Sequence, residues 1–214
     1  MMDPRALGVY VVTSSAFGPD HRTVARAAID GGATAVQLRA PELDDEALLP
    51  LASELAATCR RARVMFIVND RLGVALDSGA SGVHLGQDDD PLEARRRLGA
   101  DLVLGVSVSD VDEAAAAERA GADYVGMTVW STPTKPEAEA RGLAELRRVA
   151  AATALPVVGI GGIAASNAGL VLEAGAAGVA VISAVAAASD PVAATRELAG
   201  AVEASRANRG AVRR

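Results

Sequence analysis

Two short stretches concentrate groups that can do chemistry. GQDDDP at 86–91 sets three carboxylates in a row, and STPTKP at 131–136 carries Lys135, the only lysine among 214 residues in a chain whose other cationic side chains are all arginine. Asp90 ahead of Pro91 reads as a helix N-cap with proline at the first helical position, so Asp88 and Asp89 are not needed for that cap. Asp70, after Asn69, admits two readings. It caps the next helix, or it joins Asp89 from a neighbouring strand end to hold a hard cation. Magnesium takes one or two carboxylates with ligand phosphates and water, and these ends offer that set. Zinc is disfavoured, with only two histidines in the chain and Cys59 in mid-helix. VVGIGGIAASN at 157–167 is not a dinucleotide fingerprint, because Ala164 stands where its third glycine belongs. Its amides nevertheless lead into a helix start, where phosphate binds; the alternative is that these glycines serve only a tight turn. His84 is read as a structural histidine in preference to a catalytic one, and His21 as solvated. No Ser-His-Asp or Cys-His arrangement can be assembled. Lys135 is either a solvated loop residue or a mobile charge placed for an anion.

The elements that must position these groups recur. Eight apolar runs, at 7–12, 35–38, 64–68, 82–85, 102–106, 124–127, 156–160 and 178–182, are each followed by a plausible helix, and they show the weak polar alternation of strands buried on both faces. Before the even-numbered runs the chain reads DGGATAV, DSGASGV, RAGADYV and EAGAAGV, a helix-ending glycine and then alanine before the strand. The first run ends in Thr13-Ser14-Ser15, without the glycine-rich turn of a doubly wound sheet. The expectation is an α/β fold, one (β/α)8 TIM barrel over 1–204, with an Arg-rich tail at 205–214 that frays. Active residues of such barrels lie at strand C-termini, which here read Gln37-Leu38-Arg39, Asn69-Asp70, His84 through Asp90, Ser107, and Thr128 through Lys135. The seventh and eighth loops, with Gly162 and Ile182-Ser183-Ala184, are the usual phosphate site of that fold.

Composition narrows the partners. Half the residues are apolar, aromatics are 2%, and the net charge is -6, so the core is small and aliphatic and neither nucleic acid nor an anionic membrane is the expected partner. MMDPRALGVYVV shows no secretory pattern, and no window suits a membrane span. A lone cysteine makes no internal disulfide, and a reducing cytoplasm is the economical compartment.

Taken in order, Gln37-Leu38-Arg39, Val68 to Asp70, GVHLGQDD at 82–89, GVS at 105–107, TPTK at 132–135, GIGG at 159–162 and VIS at 181–183 resemble the thiamine-phosphate synthase family over nearly the whole chain. The resemblance implies a (β/α)8 barrel that joins a hydroxymethylpyrimidine diphosphate to a thiazole phosphate with magnesium, releasing pyrophosphate. Carried over by position, Asp70 and Asp89 hold the metal. Gln37, Leu38, Arg39, Asn69, Ser107 and Lys135 meet the pyrimidine diphosphate, with Arg39, Ser107 and Lys135 carrying the catalytic load. Thr132, Thr134, Gly162, Ile182 and Ser183 hold the thiazole phosphate. The chemistry implied is dissociative, with the nucleophile supplied by the substrate. Two departures stand out: Ala40-Pro41 replaces the family's acidic residue and lysine, and the loop at 126–131 is one residue shorter than the common form. The runner-up is a thiazole tautomerase on the same barrel, which uses a histidine where this chain has Ser109. A non-catalytic barrel that binds phosphorylated ligands is the alternative outside enzymes; a sugar-phosphate epimerase is more distant.

Overall fold

Valine, isoleucine and leucine runs become strands here because β-branched side chains fit a pleated surface covered on both sides. The computed structural model describes residues 3–87, 89–131 and 139–212. After a 3-10 turn (Pro4–Leu7), the described chain runs β1 (Val9–Val12), α1 (His21–Asp30), β2 (Ala35–Leu38), α2 (Asp45–Ala62), β3 (Met65–Asn69), α3 (Leu72–Ser78), β4 (Gly82–Leu85) and α4 (Pro91–Leu98). It continues with β5 (Val103–Ser107), α5 (Val111–Arg119), β6 (Tyr124–Thr128), α6 (Gly142–Ala152), β7 (Val157–Ile160), α7 (Ala168–Glu173), β8 (Gly178–Val181), α8 (Ser183–Ala186) and α9 (Pro191–Val212). The strands pair in sequence order and in parallel, and β8 returns to β1 to close the barrel.

The two-residue period of a strand splits the core into two layers. Leu7, Tyr10, Val12, Ala35, Ile67, Tyr124, Val158 and Ala180 fill the barrel interior. The alternate residues, among them Val11, Val36, Leu38, Val68, Val83, Leu104, Val125 and Val179, face outward into a larger layer under the helices. Cys59 is buried in that outer layer, where desolvation pushes its thiol pKa up to about 12, so it behaves as a small apolar group.

The Gly-Ala repeat has a physical cause. Gly32, Gly79, Gly121 and Gly175 follow the ends of α1, α3, α5 and α7 with φ of 93°, 74°, 84° and 110°, a left-handed turn that a side chain resists. After three of them the alanine N–H reaches back five residues, from Ala33 to Ala28, Ala122 to Ala117 and Ala176 to Val171, closing the helix and aiming the chain into the next strand. The tail departs from expectation. Helix α9 continues to Val212, Ser205 is buried, and Arg206 donates to the Ala177 carbonyl at 2.8 Å, which ties this helix to the strand beginning β8.

Candidate active site

A cavity of about 640 Å³ opens at the C-terminal ends of the strands, within the size range of small-molecule sites. Parity decides who faces it. Gln37 and Arg39 line the cavity, while Leu38 between them points outward and is 1% exposed. Of the expected Gln37-Leu38-Arg39 contact set, the Leu38 side chain therefore belongs to the outer core and not to the cavity wall. Asn69, Asp70, Asp89, Ser107 and Ile182 also line the cavity. Gly162 and Ser183 are exposed and do not line it, and Gly162 holds a left-handed φ of 62°. Thr132, Thr134 and Lys135 lie outside the described residues.

Asp70 does not cap α3. Arg71 occupies that N-cap position with no side-chain cap bond, and Asp70 itself adopts φ 59°, a strained conformation for a residue with a side chain. Its amide is fixed by the His84 carbonyl at 2.9 Å, and its carboxylate accepts from Asn69 Nδ2. Asp89 accepts from the Gly86 amide at 2.9 Å, whereas Asp90 caps α4 through the amides of Leu92 and Glu93. Both candidate ligands converge above Gly86, where an added Cβ would lie 3.5 Å from Asp89 Oδ2 and 4.0 Å from Asp70 Oδ1. Burial raises the Asp70 pKa and the Asp89 charge raises it further, against the lowering effects of the Asn69 bond and of Arg39. Two carboxylates crowded together with one cation nearby suit magnesium, which completes its shell with water and ligand phosphates. No group of three or more His, Cys, Asp or Glu that could hold a metal ion assembles among the described residues.

The interior beneath is polar in an ordered way. Gln37 Nε2 donates to the Tyr10 hydroxyl at 2.8 Å, the Tyr10 and Tyr124 hydroxyls lie 2.9 Å apart, and Tyr124 lies 3.0 Å from His84 Nδ1. His84 Nε2 lies 3.0 Å from Ser107 Oγ. Burial raises both phenol pKa values above their ordinary range, so both keep their hydrogens. His84 thus bridges the Tyr124 hydroxyl and Ser107.

His21 is not solvated. It is 5% exposed, with Nδ1 2.8 Å from Thr13 Oγ1 and Nε2 2.9 Å from Glu42 Oε1. Glu42 also accepts from Ser15, and the His21 bond is the main cause holding its pKa down to about 2. Thr13 Oγ1 in turn accepts from the Arg39 amide at 3.4 Å, so the cluster braces the strand end that carries Arg39. Ala40 is buried in the outer layer, and Pro41, standing where the family has its lysine, is exposed and carries no charge. A different cation reaches the cavity: Arg141 lines it beside Glu139, to which it bonds at 2.9 Å, and its Nε has no hydrogen-bond partner among the described residues. Sequence reasoning missed Tyr10, Tyr124 and Arg141. The tyrosines were legible through parity, since Tyr124 precedes Gly126 and Thr128 at even spacing on one strand; Arg141 carried no comparable signal.

The chain is similar to known proteins over most of its length. A family model described as thiamine monophosphate synthase matches residues 9–185. A thiamine-phosphate synthase of Natronomonas pharaonis is 49% identical over 203 residues, covering 92% of this chain and 95% of that protein. One from Chloroflexus aurantiacus is 48% identical over 194 residues, covering 89% and 90%. Among solved structures, a thiamine phosphate pyrophosphorylase from Pyrococcus furiosus superposes with a TM-score of 0.88 at 38% identity, covering 94% of this chain and 98% of that one.

Proposed function

The chain belongs to the thiamine monophosphate synthase family and is a transferase of thiamine biosynthesis, and on that premise we propose that its cavity joins a hydroxymethylpyrimidine diphosphate to a thiazole phosphate, giving thiamine phosphate and pyrophosphate. The observation that carries this reading is the convergence of Asp70 and Asp89 above Gly86, within the electrostatic reach of Arg39. Paired carboxylates alone would repel a diphosphate. Paired carboxylates with a cation beside them suit a diphosphate that arrives with a divalent metal.

The chemistry needs no protein nucleophile. The bond between the pyrimidine methylene and its diphosphate breaks with the electron pair leaving on oxygen, and the thiazole nitrogen lone pair forms the new C–N bond. The side chains bind, orient and stabilise departing charge. Gln37 and Asn69 fit the pyrimidine end. Arg39 fits the diphosphate by its planar fork, and Ser107 reaches it from β5. Asp70 and Asp89 would hold magnesium, which would supply positive charge to the leaving group. Lys135, outside the described residues, is assigned in this proposal to follow that leaving group. Ile182, with Thr132, Thr134, Gly162 and Ser183, is assigned the thiazole phosphate. Among the described residues, no helix is long and apolar enough to cross a membrane.

The tautomerase alternative has no support in the geometry. Ser109, at the position where that relative uses histidine, is held by Gln87 at 2.7 Å and by the Glu113 carboxylate on its amide, and no imidazole stands there. The test is to incubate the purified chain with both substrates and magnesium. Thiamine phosphate and pyrophosphate appearing together support the reading. Ligand binding without pyrophosphate would make the chain a binding barrel.

A further inference from the structure

The hydrogen bonds inside the barrel have a direction. Each neutral phenol has one hydrogen to give. Tyr10 accepts from Gln37 Nε2, so its own hydrogen goes to Tyr124, and Tyr124 gives its hydrogen to His84 Nδ1. The imidazole hydrogen then sits on Nε2 and is donated to Ser107 Oγ, leaving the Ser107 hydrogen for the cavity. Run the other way, the Tyr10 oxygen would face two hydrogens while its own had no acceptor among the described residues, on a side chain only 2% exposed at the floor of the cavity. Ser107 would then give its hydrogen to His84 and show the cavity only lone pairs, the wrong sign for an anion.

The barrel is built around this line. A Cβ at Gly105 would fall 2.2 Å from Tyr124 Cζ, and one at Gly126 would fall 3.0 Å from His84 Cε1. Both glycines occupy inward positions on β5 and β6 that an aliphatic side chain would otherwise fill, and the space goes to a phenol and an imidazole. Tyr10 and Tyr124 are the chain's two tyrosines, and both lie on this line.

We propose that Gln37, Tyr10, Tyr124 and His84 form a one-way hydrogen-bond relay that holds Ser107 as an O–H donor aimed at the departing diphosphate. His84 and Tyr124 are then positioning residues, and Ser107 is the group that touches substrate; this last assignment rests on the function proposed above. The relay sets a donor in place before the reaction, so no reorganisation is needed as charge develops.

Two measurements test it. In the free wild-type protein, imidazole 15N NMR reads the tautomer directly, and the two histidines are separated by comparison with His21→Gln. The relay requires hydrogen on Nε2 of His84; hydrogen on Nδ1 overturns it whether or not the protein is active. The second is a double-mutant cycle on single-turnover pyrophosphate release, using Tyr124→Phe, which keeps the ring and removes the hydroxyl. Alone it slows release roughly tenfold, with KM for thiazole phosphate unchanged, and in a Ser107→Ala background it adds nothing, because the donor it orients is gone. Independent, multiplying losses overturn the relay, as does a Tyr124→Phe variant as fast as the parent. If no thiamine phosphate forms even in the parent, the functional reading fails and the tautomer alone decides the relay.

Discussion

The cavity has two unlike walls. Strands β2 to β5 present Gln37, Arg39, Asn69, Asp70, His84 and Ser107, whereas β7 and β8 present Val158, Ile160, Ala180 and Ile182. The helices that follow differ too. Asp44, Asp90 and Asp110 cap α2, α4 and α5, with α3 the exception on that side, while α6, α7 and α8 begin with no side-chain cap bond. A wall of carboxylates and one planar cation handles an anion only with a metal present. An apolar wall free of carboxylates fits a flat heterocycle and leaves backbone amides for a simple phosphate. On the function proposed above, the two substrates are told apart by how each wall treats negative charge.

Four changes would break or sharpen this division. The largest effect is expected at Lys135, outside the described residues, where Lys135→Ala should slow turnover by roughly 10²-fold to 10³-fold, the scale of losing one transition-state charge stabiliser. Thiazole-phosphate binding should persist, and Lys135→Arg should recover only part; single-turnover rates and separate binding titrations check both. Arg39→Lys comes next. It keeps the charge but loses the planar fork, so KM for the diphosphate substrate should rise roughly tenfold while KM for the thiazole phosphate stays put. Equal rises in both would erase the division. Asp89→Asn should raise the magnesium concentration needed for half-maximal rate several-fold, as read in a metal titration, with little change at saturating metal. The smallest effect belongs to Glu42→Gln. Because the Glu42 pKa is lowered from 4.5 to about 2, its contribution is present above the unfolded value and fades as pH falls from 4.5 towards 2. Melting curves of the parent should lose a small increment across that acid range, and the variant should lack it; its side chain is 45% exposed, which keeps the increment small.

The barrel was legible because its signals are local. Apolar runs, the Gly-Ala helix stops and the Asp90-Pro91 cap each act within a few residues. The features that escaped depend on partners distant in the chain. His21 looks solvated until Glu42 arrives from the loop after β2, and the Tyr10–Tyr124 bond joins residues 114 positions apart. The Arg-rich end reads as a tail until Arg206 finds the Ala177 carbonyl. Leu38 is a different case. Strand parity alone sends it outward, but it entered the candidate set as the middle of a motif, and a motif does not distinguish a side chain that touches ligand from one that packs behind the strand.

The central claim is that the β2 to β5 wall takes a diphosphate together with a divalent metal, and calorimetric titration of inorganic pyrophosphate into the protein tests it most directly. With magnesium present, pyrophosphate should bind; without magnesium, or in Asp70→Asn, binding should weaken at least tenfold, an estimate that treats the metal as the link between two anionic partners. Binding that is indifferent both to magnesium and to Asp70 would contradict the account.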